Sequence, residues 1–256
     1  NEHIKKTWLY GFIEKDIFGN GILGVNFFFV LSGFLITYLL IEEKKLKGQI
    51  HLKYFWLRRI LRIWPLFYLC VFIGFFGFPI LKAALGQVTN ESANIGTYLL
   101  FVNNFDVLRN GFPDASILGV LWSVAIEEQF YLVWPIILFV IPVKRYWIVF
   151  LVVIAGSLFF RAFYPSPMLY EYHTLSCMGD LAFGAFGAWL ILQYDFVRKV
   201  IENWSKWTIG IIYTTFIGFF LFKDEVIHVV PTFGVIERTF IALIILGIIL
   251  EQNYAK

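Results

Sequence analysis

The sequence predicts an all-α, polytopic transmembrane helix bundle, and three observations carry that prediction. Fifty-nine per cent of the 256 residues are hydrophobic, only 15% are charged, and the mean hydropathy is +0.74. Soluble domains are nearer half apolar and about a quarter charged. Separate apolar runs approach or reach the roughly 20 residues needed to span a bilayer. Lipid offers no partner to an open backbone group, so each run is expected to be a helix.

The runs fall at 22–41, 63–81, 118–141, 147–164, 175–193, 207–222 and 233–250. Between the second and third lies 82–117, where "IGTYLLFV" at 95–102 is too short to cross and "NNFDVLRNGFPDAS" is rich in turn formers. This stretch is expected to be an irregular excursion with a short re-entrant or interfacial helix near 95–102. Cys70 and Cys177 lie inside apolar runs with no metal or disulfide spacing, so they read as buried thiols.

Seven spans make the loops alternate between the two sides. One side collects Lys44, Lys45, Lys47, Lys53, Arg58, Arg59, Arg62, Lys144, Arg145, Arg198, Lys199, Lys206 and Lys256. The other collects Lys5, Lys6, Lys15, Lys82, Arg109 and Lys223. Basic residues favour the cytoplasm, which places Asn1 outside and Lys256 inside. The chain reads as one transmembrane domain, 1–256, incomplete at both ends.

Three motifs carry chemistry. In the first span, "GILGVNFFFVLSGFLITYLL", Gly24, Asn26, Ser32, Gly33 and Thr37 interrupt the apolar run, as expected of close helix packing. The second motif, "YFWLRRILRIWPL", puts Arg58, Arg59 and Arg62 at the inner mouth of the second span, with Pro65 after them to kink the helix or mark its first turn. Guanidinium forks suit phosphate oxygens, although basic clusters beside a span also set topology or meet anionic lipid.

The third motif, "LWSVAIEEQFYLVWP", places Glu127 and Glu128 near the middle of a span. An ionised residue there costs roughly 2.5–3.5 kcal/mol, so the acids are expected to be paired or protonated. Adjacent helix positions point about 100° apart, so the two face different neighbours. Gly119, Ser123, Glu127, Phe130 and Trp134 share one stripe that reads as a cavity wall. A structural ion pair is the competing reading. His3, His51, His173 and His228 have no metal-ligand spacing, and no metal is expected.

Taken in this order, "GVNFFFVLSGFLI" at 24–36, "FWLRRILRIWP" at 55–65 and the glutamate motif at 121–135 resemble the integral-membrane acyltransferase family three. The resemblance implies an O-acyltransferase of about ten helices around a pore-like site. It uses acyl-coenzyme A, usually acetyl-coenzyme A, from the cytoplasm as co-substrate, with no bound cofactor. The acceptor is a hydroxyl of a glycan or lipid-linked molecule presented outside, and the setting is a bacterial inner membrane. Partners are then membrane lipid, donor and acceptor, with no nucleic acid.

Carried onto this chain, Arg58, Arg59 and Arg62 hold the donor's phosphates. Glu127, the better choice, and Glu128 are the acids. Phe28, Ser32 and Gly33 line or pack the pore, and Trp122, Ser123 and Phe130 complete the substrate side. The family also has a basic residue followed eleven residues later by a base histidine, on the helix before the Ser-Gly helix. Here only His3 stands near that place. Two other function classes compete: a proton-coupled transporter or channel, which buried acids would suit, and a non-catalytic relative with the same fold.

Overall fold

The structure is a computed structural model that describes residues 21–229 and 233–255, with side chains for 21–221 and 234–255. Its elements are α1 (Gly21–Lys47), α2 (Leu52–Phe72), a π-helical turn (Ile73–Gly77), α3 (Phe78–Ala84), α4 (Ile95–Leu99), α5 (Asn103–Asn110), α6 (Ser116–Gly119) and α7 (Leu121–Val140). A 3₁₀ turn (Val143–Arg145) leads into α8 (Tyr146–Phe163), α9 (Pro167–Tyr172), α10 (Thr174–Gln193), α11 (Asp195–Glu202), α12 (Lys206–Val229) and α13 (Phe233–Tyr254).

No strand occurs among the described residues. Five helical stretches there are long and apolar enough to cross a membrane: Gly21–Lys47, Leu52–Ala84, Ser116–Val140, Val143–Phe163 and Thr174–Gln193. Helices also occupy the sixth and seventh expected positions, the sixth with a shorter apolar part, Lys206–Leu221. The all-α polytopic class is therefore as the composition predicts.

The second crossing is longer than its apolar run. It continues from Leu52 to Ala84 because α2, the π turn and α3 join end to end. Pro65 lies inside α2 rather than at its first turn, so all three arginines ride on the helix itself. The excursion contains a short helix at the expected place, α4, and adds α5 after it, with α6 at the junction to the third crossing.

The chain divides into two compact units. The first comprises 1–41, 147–163 and 179–256. There α1 and α10 meet through reciprocal glycines. A Cβ on Gly33 would overlap the backbone of Leu181, and one on Gly184 would overlap the backbone of Val30. Small residues let two helices approach to backbone contact, so Gly33 works as a packing residue. Ser32 is buried on the same helix, whereas Phe28 is about half exposed.

Deeper in this unit the carboxylate of Asp180 on α10 accepts from Arg238 on α13, with Nη2 at 2.5 Å and Nε at 3.2 Å. Arg161 on α8 is buried too and donates to Thr239 Oγ1 at 2.9 Å.

The second unit comprises 42–146 and 164–178. Its apolar core joins Phe67 and Val71 of the second crossing to Tyr98, Phe101, Ala115, Leu118, Leu121 and Ala125. Gly74 gives the π turn its close fit, since a Cβ there would overlap the side chain of Leu118. The far end of α7 is capped by an ammonium. Lys44 Nζ donates to the carbonyls of Leu138 (2.6 Å), Ile141 (2.8 Å) and Phe139 (3.1 Å). A helix C-terminus leaves its last carbonyls open and carries partial negative charge, so a lysine suits it on both counts.

Candidate active site

The site is built within the second unit, where α2 lies against α7. Trp56 Nε1 donates to the carbonyl of Tyr131 at 2.9 Å, which fixes the register of the two helices. On α7 the buried stripe is Trp122, Ile126, Glu127, Phe130 and Trp134, with Phe130 and Trp134 stacked at 4.6 Å. Leu132, Val133, Ile136 and Phe139 are exposed on the opposite face and suit lipid. Glu127 is only 3% exposed, so this acid does not face the membrane.

Glu128 turns about 100° away, towards α2. Its Oε2 accepts from Trp64 Nε1 at 3.0 Å, and its Oε1 is buried without a hydrogen-bond partner. A buried acceptor left open costs about 1–3 kcal/mol, so this oxygen is a place for a donor that the protein does not supply. The two acids thus have different neighbours, as helix geometry requires.

The arginines also separate into two kinds. Arg59 is half-buried, lies over the rings of Tyr131 (5.3 Å) and Phe55 (5.6 Å), and interacts electrostatically with both Glu127 and Glu128. Arg58 and Arg62 are exposed, and Arg58 reaches Glu43 at 3.9 Å. Arg59 is therefore the guanidinium that communicates with the acids, while the other two stay available at the surface. Between α2 and α7 opens a cavity of 270 Å³, lined by Trp56, Arg59, Trp64, Glu128 and Tyr131 among others. A second, of 230 Å³, has Arg62, Cys70 and Val124 in its wall.

Behind Glu128 stands a polar lock that no motif announced. Gln129 Nε2 donates to the Phe101 carbonyl at 2.8 Å and to Asn104 Oδ1 at 2.9 Å. Thr174 Oγ1 donates to Gln129 Oε1 at 2.6 Å, and Asn104 Nδ2 donates to Tyr172 O at 3.1 Å. Phe101 holds a left-handed backbone conformation at φ 53°. That conformation is uncommon for a bulky residue and stores strain. It presents the carbonyl to Gln129 while the ring packs 5.4 Å from Trp64, the partner of Glu128.

Of the remaining expected site residues, Trp122 packs edge-on against Tyr172 at 4.7 Å, and Ser123 donates to the carbonyl of Val120, the residue before α7, at 3.2 Å. His3 and His228 lie outside the residues whose side chains are described. His173, just before α10, packs against Phe105, and burial lowers its pKa. Among the described residues no group of histidines, cysteines and carboxylates is arranged to hold a metal. Sequence reasoning missed Trp64, Tyr131, Gln129 and Asn104. The signal for Trp64 was the 56-60-64 spacing, which stacks two tryptophans on the Arg59 side of α2.

A family model described as an acyltransferase domain matches residues 3–256. The peptidoglycan O-acetyltransferase OatA of Listeria monocytogenes is 35% identical over 144 residues, 54% of this chain and 21% of that protein. A Staphylococcus aureus protein named "Putative O-acetyltransferase SACOL0978" is 36% identical over 157 residues, 58% of this chain and 24% of that protein. A Bacillus subtilis protein named "Putative peptidoglycan O-acetyltransferase YrhL" is 32% identical over 143 residues, 54% and 21% respectively. The matched segment is thus under a quarter of the length of these relatives. No solved structure matches.

Proposed function

Because this chain belongs to the acyltransferase-domain family, we propose that it is the membrane part of an O-acetyltransferase acting on a cell-envelope glycan. The donor is acetyl-coenzyme A from the cytoplasm, and the acceptor is a hydroxyl presented on the outer side, in the peptidoglycan or a lipid-linked sugar. The names of the relatives support that acceptor class. In this reading the chain lies in a bacterial inner membrane with Asn1 outside and Lys256 inside.

The carrying observation is an open cavity between apolar helices lined by Arg59 and Glu128, with Glu127 buried next to Glu128 on α7 and in electrostatic contact with Arg59. Intramembrane ionisable residues are costly and tend to be kept for function. The reaction joins the acceptor oxygen to the acyl carbon, breaks the thioester C–S bond, and moves the hydroxyl proton finally to the thiolate of coenzyme A. The exposed guanidinium groups of Arg58 and Arg62 fit the donor's phosphates, which they meet in a plane and without losing charge.

Glu127 orients the proton-accepting base or receives its proton, a role worth about 10²–10⁴-fold in rate. Arg59 balances the negative charge on the acids and holds them in register. Gln129 and its partners keep α7 from turning.

The test uses the full-length protein in membranes with labelled acetyl-coenzyme A. Glu127→Gln should reduce acyl transfer at least about 100-fold while membrane levels stay normal. Arg58→Ala and Arg62→Ala should raise the KM for the donor. Transfer at the wild-type rate by Glu127→Gln would overturn the assignment. Substrate flux through the wild-type protein without any acyl donor would favour a transporter instead.

A further inference from the structure

Just outside the arginine motif, a nearly buried carboxylate gathers three basic groups. The side chain of Glu43, in the last turns of α1, is only 10% exposed. It meets His51 Nδ1 at 3.1 Å, Lys47 Nζ at 3.2 Å and Arg58 Nη2 at 3.9 Å. The chain reverses between α1 and α2 at Gly48, whose φ of 76° few other residues adopt, and buried Ile50 anchors the turn. That reversal brings Lys47 and Arg58 to one carboxylate.

The cations are held at one end only. The side chains of Lys47 and Arg58 are 58% and 62% exposed, so both keep donors free. One turn before Arg58, Tyr54 is 59% exposed, with its ring 6.1 Å from that of His51. A large exposed ring beside preorganised cations is poor use of a surface unless a flat group covers it. Exposed ion pairs add little stability, so the fixed geometry is the more telling feature.

We propose that Lys47, His51, Tyr54 and Arg58, organised by Glu43, form the subsite for the nucleotide end of the acyl donor. It takes an adenine over Tyr54 and His51 and a ribose phosphate between Lys47 and Arg58. The inference rests on the acyltransferase reading and extends the donor site from Arg58 and Arg62 back to the α1–α2 turn. An anionic lipid headgroup offers the same phosphate chemistry to Lys47 and Arg58, but it brings no base for the ring of Tyr54.

The experiment measures coenzyme A binding to the full-length protein in nanodiscs of neutral lipid, with dephospho-coenzyme A, which lacks the ribose 3′-phosphate, as the second probe. Tyr54→Ala should weaken binding of both probes about tenfold, and Tyr54→Phe should recover most of the loss, because stacking needs only the ring. Lys47→Ala should weaken coenzyme A about tenfold yet leave dephospho-coenzyme A little changed, since the lost partner is the phosphate.

Full coenzyme A affinity in Tyr54→Ala and Lys47→Ala, beside a wild type that binds it and transfers acetyl, would overturn this subsite and leave the acyltransferase reading intact. So would variants that lose only their affinity for anionic-lipid nanodiscs. A wild type that neither binds coenzyme A nor transfers acetyl would remove the acyltransferase reading, and the subsite with it.

Discussion

Asp180 and Glu128 are both carboxylates held inside apolar helices, and the protein finishes them differently. Asp180 takes two donors from Arg238, with Arg161 also buried in the same unit, and none of these groups lines a cavity described above. Glu128 takes one donor from Trp64, keeps Oε1 open, and borders a 270 Å³ space. The first arrangement resembles a strut, because both donors that reach Asp180 come from Arg238 of the fold itself. The second leaves capacity unused at some cost in stability, which is characteristic of sites that bind or react.

The largest effect should come from the strut. Asp180→Ala breaks the buried pair that Asp180 makes with Arg238, which costs about 3–5 kcal/mol. Thermal unfolding of the purified full-length protein in detergent should show a large fall, and activity should vanish with the fold. If Asp180→Ala melted like the wild type while losing activity, the contrast between the two acids would collapse.

Trp64→Phe should come next. It keeps an aromatic ring against Phe101 but removes the indole N–H that Glu128 Oε2 accepts, at about 1–3 kcal/mol. Here the measured loss should appear in acyl transfer as well as in melting temperature. A change in stability alone would class Glu128 with Asp180.

Lys44→Met should cost about 1 kcal/mol by uncapping α7, and its effect on transfer should follow the fraction folded. A kinetic loss at full stability would mean that the end of α7 acts on the site directly.

The smallest effect concerns the connecting loops. Lys82 donates to Asp114 at 2.6 Å and the Asn90 N–H at 3.1 Å, and these bonds, Lys82 first, hold the Asp114 carboxyl below its usual range. A folded pKa below the unfolded one stabilises above the unfolded value, about 3.9, and the benefit fades as pH falls through the folded value. Amide protection in 82–117, taken relative to the intrinsic exchange rate at each pH, should therefore fall on acidification below about pH 4, and Asp114→Asn should flatten that dependence.

The crossings were legible because lipid imposes one rule, a long apolar helix, and that rule leaves its mark in the composition. The separation of Glu127 from Glu128 was legible for a similar reason, since the helical repeat sets neighbouring residues about 100° apart. Local geometry does not reach further. Trp64 and Glu128 are 64 residues apart in sequence, Lys44 and Leu138 are 94, and nothing in either segment names its partner.

The three arginines looked equivalent as a string. Only the packing of α2 on α7 turns Arg59 inward over Tyr131 and leaves Arg58 and Arg62 outside. The Gln129–Asn104–Thr174 lock was hidden because its members come from α7, α5 and the start of α10, each an ordinary polar residue in its own segment. Of the two alternatives for Pro65, a kink or a first turn, the structure removes the second, because Pro65 lies inside α2 and the helical stretch runs on to Ala84.

The central claim is that Arg59 and Glu127 act as one unit in acyl transfer, and a double-mutant cycle tests it most directly. Acetyl transfer from labelled acetyl-coenzyme A is measured for the full-length protein, Arg59→Gln, Glu127→Gln and the double variant, all at matched membrane levels. The expected result is that each single variant loses most of the activity and the double variant is no worse than the poorer single one. Losses that multiply independently, or single variants that transfer normally, would contradict it.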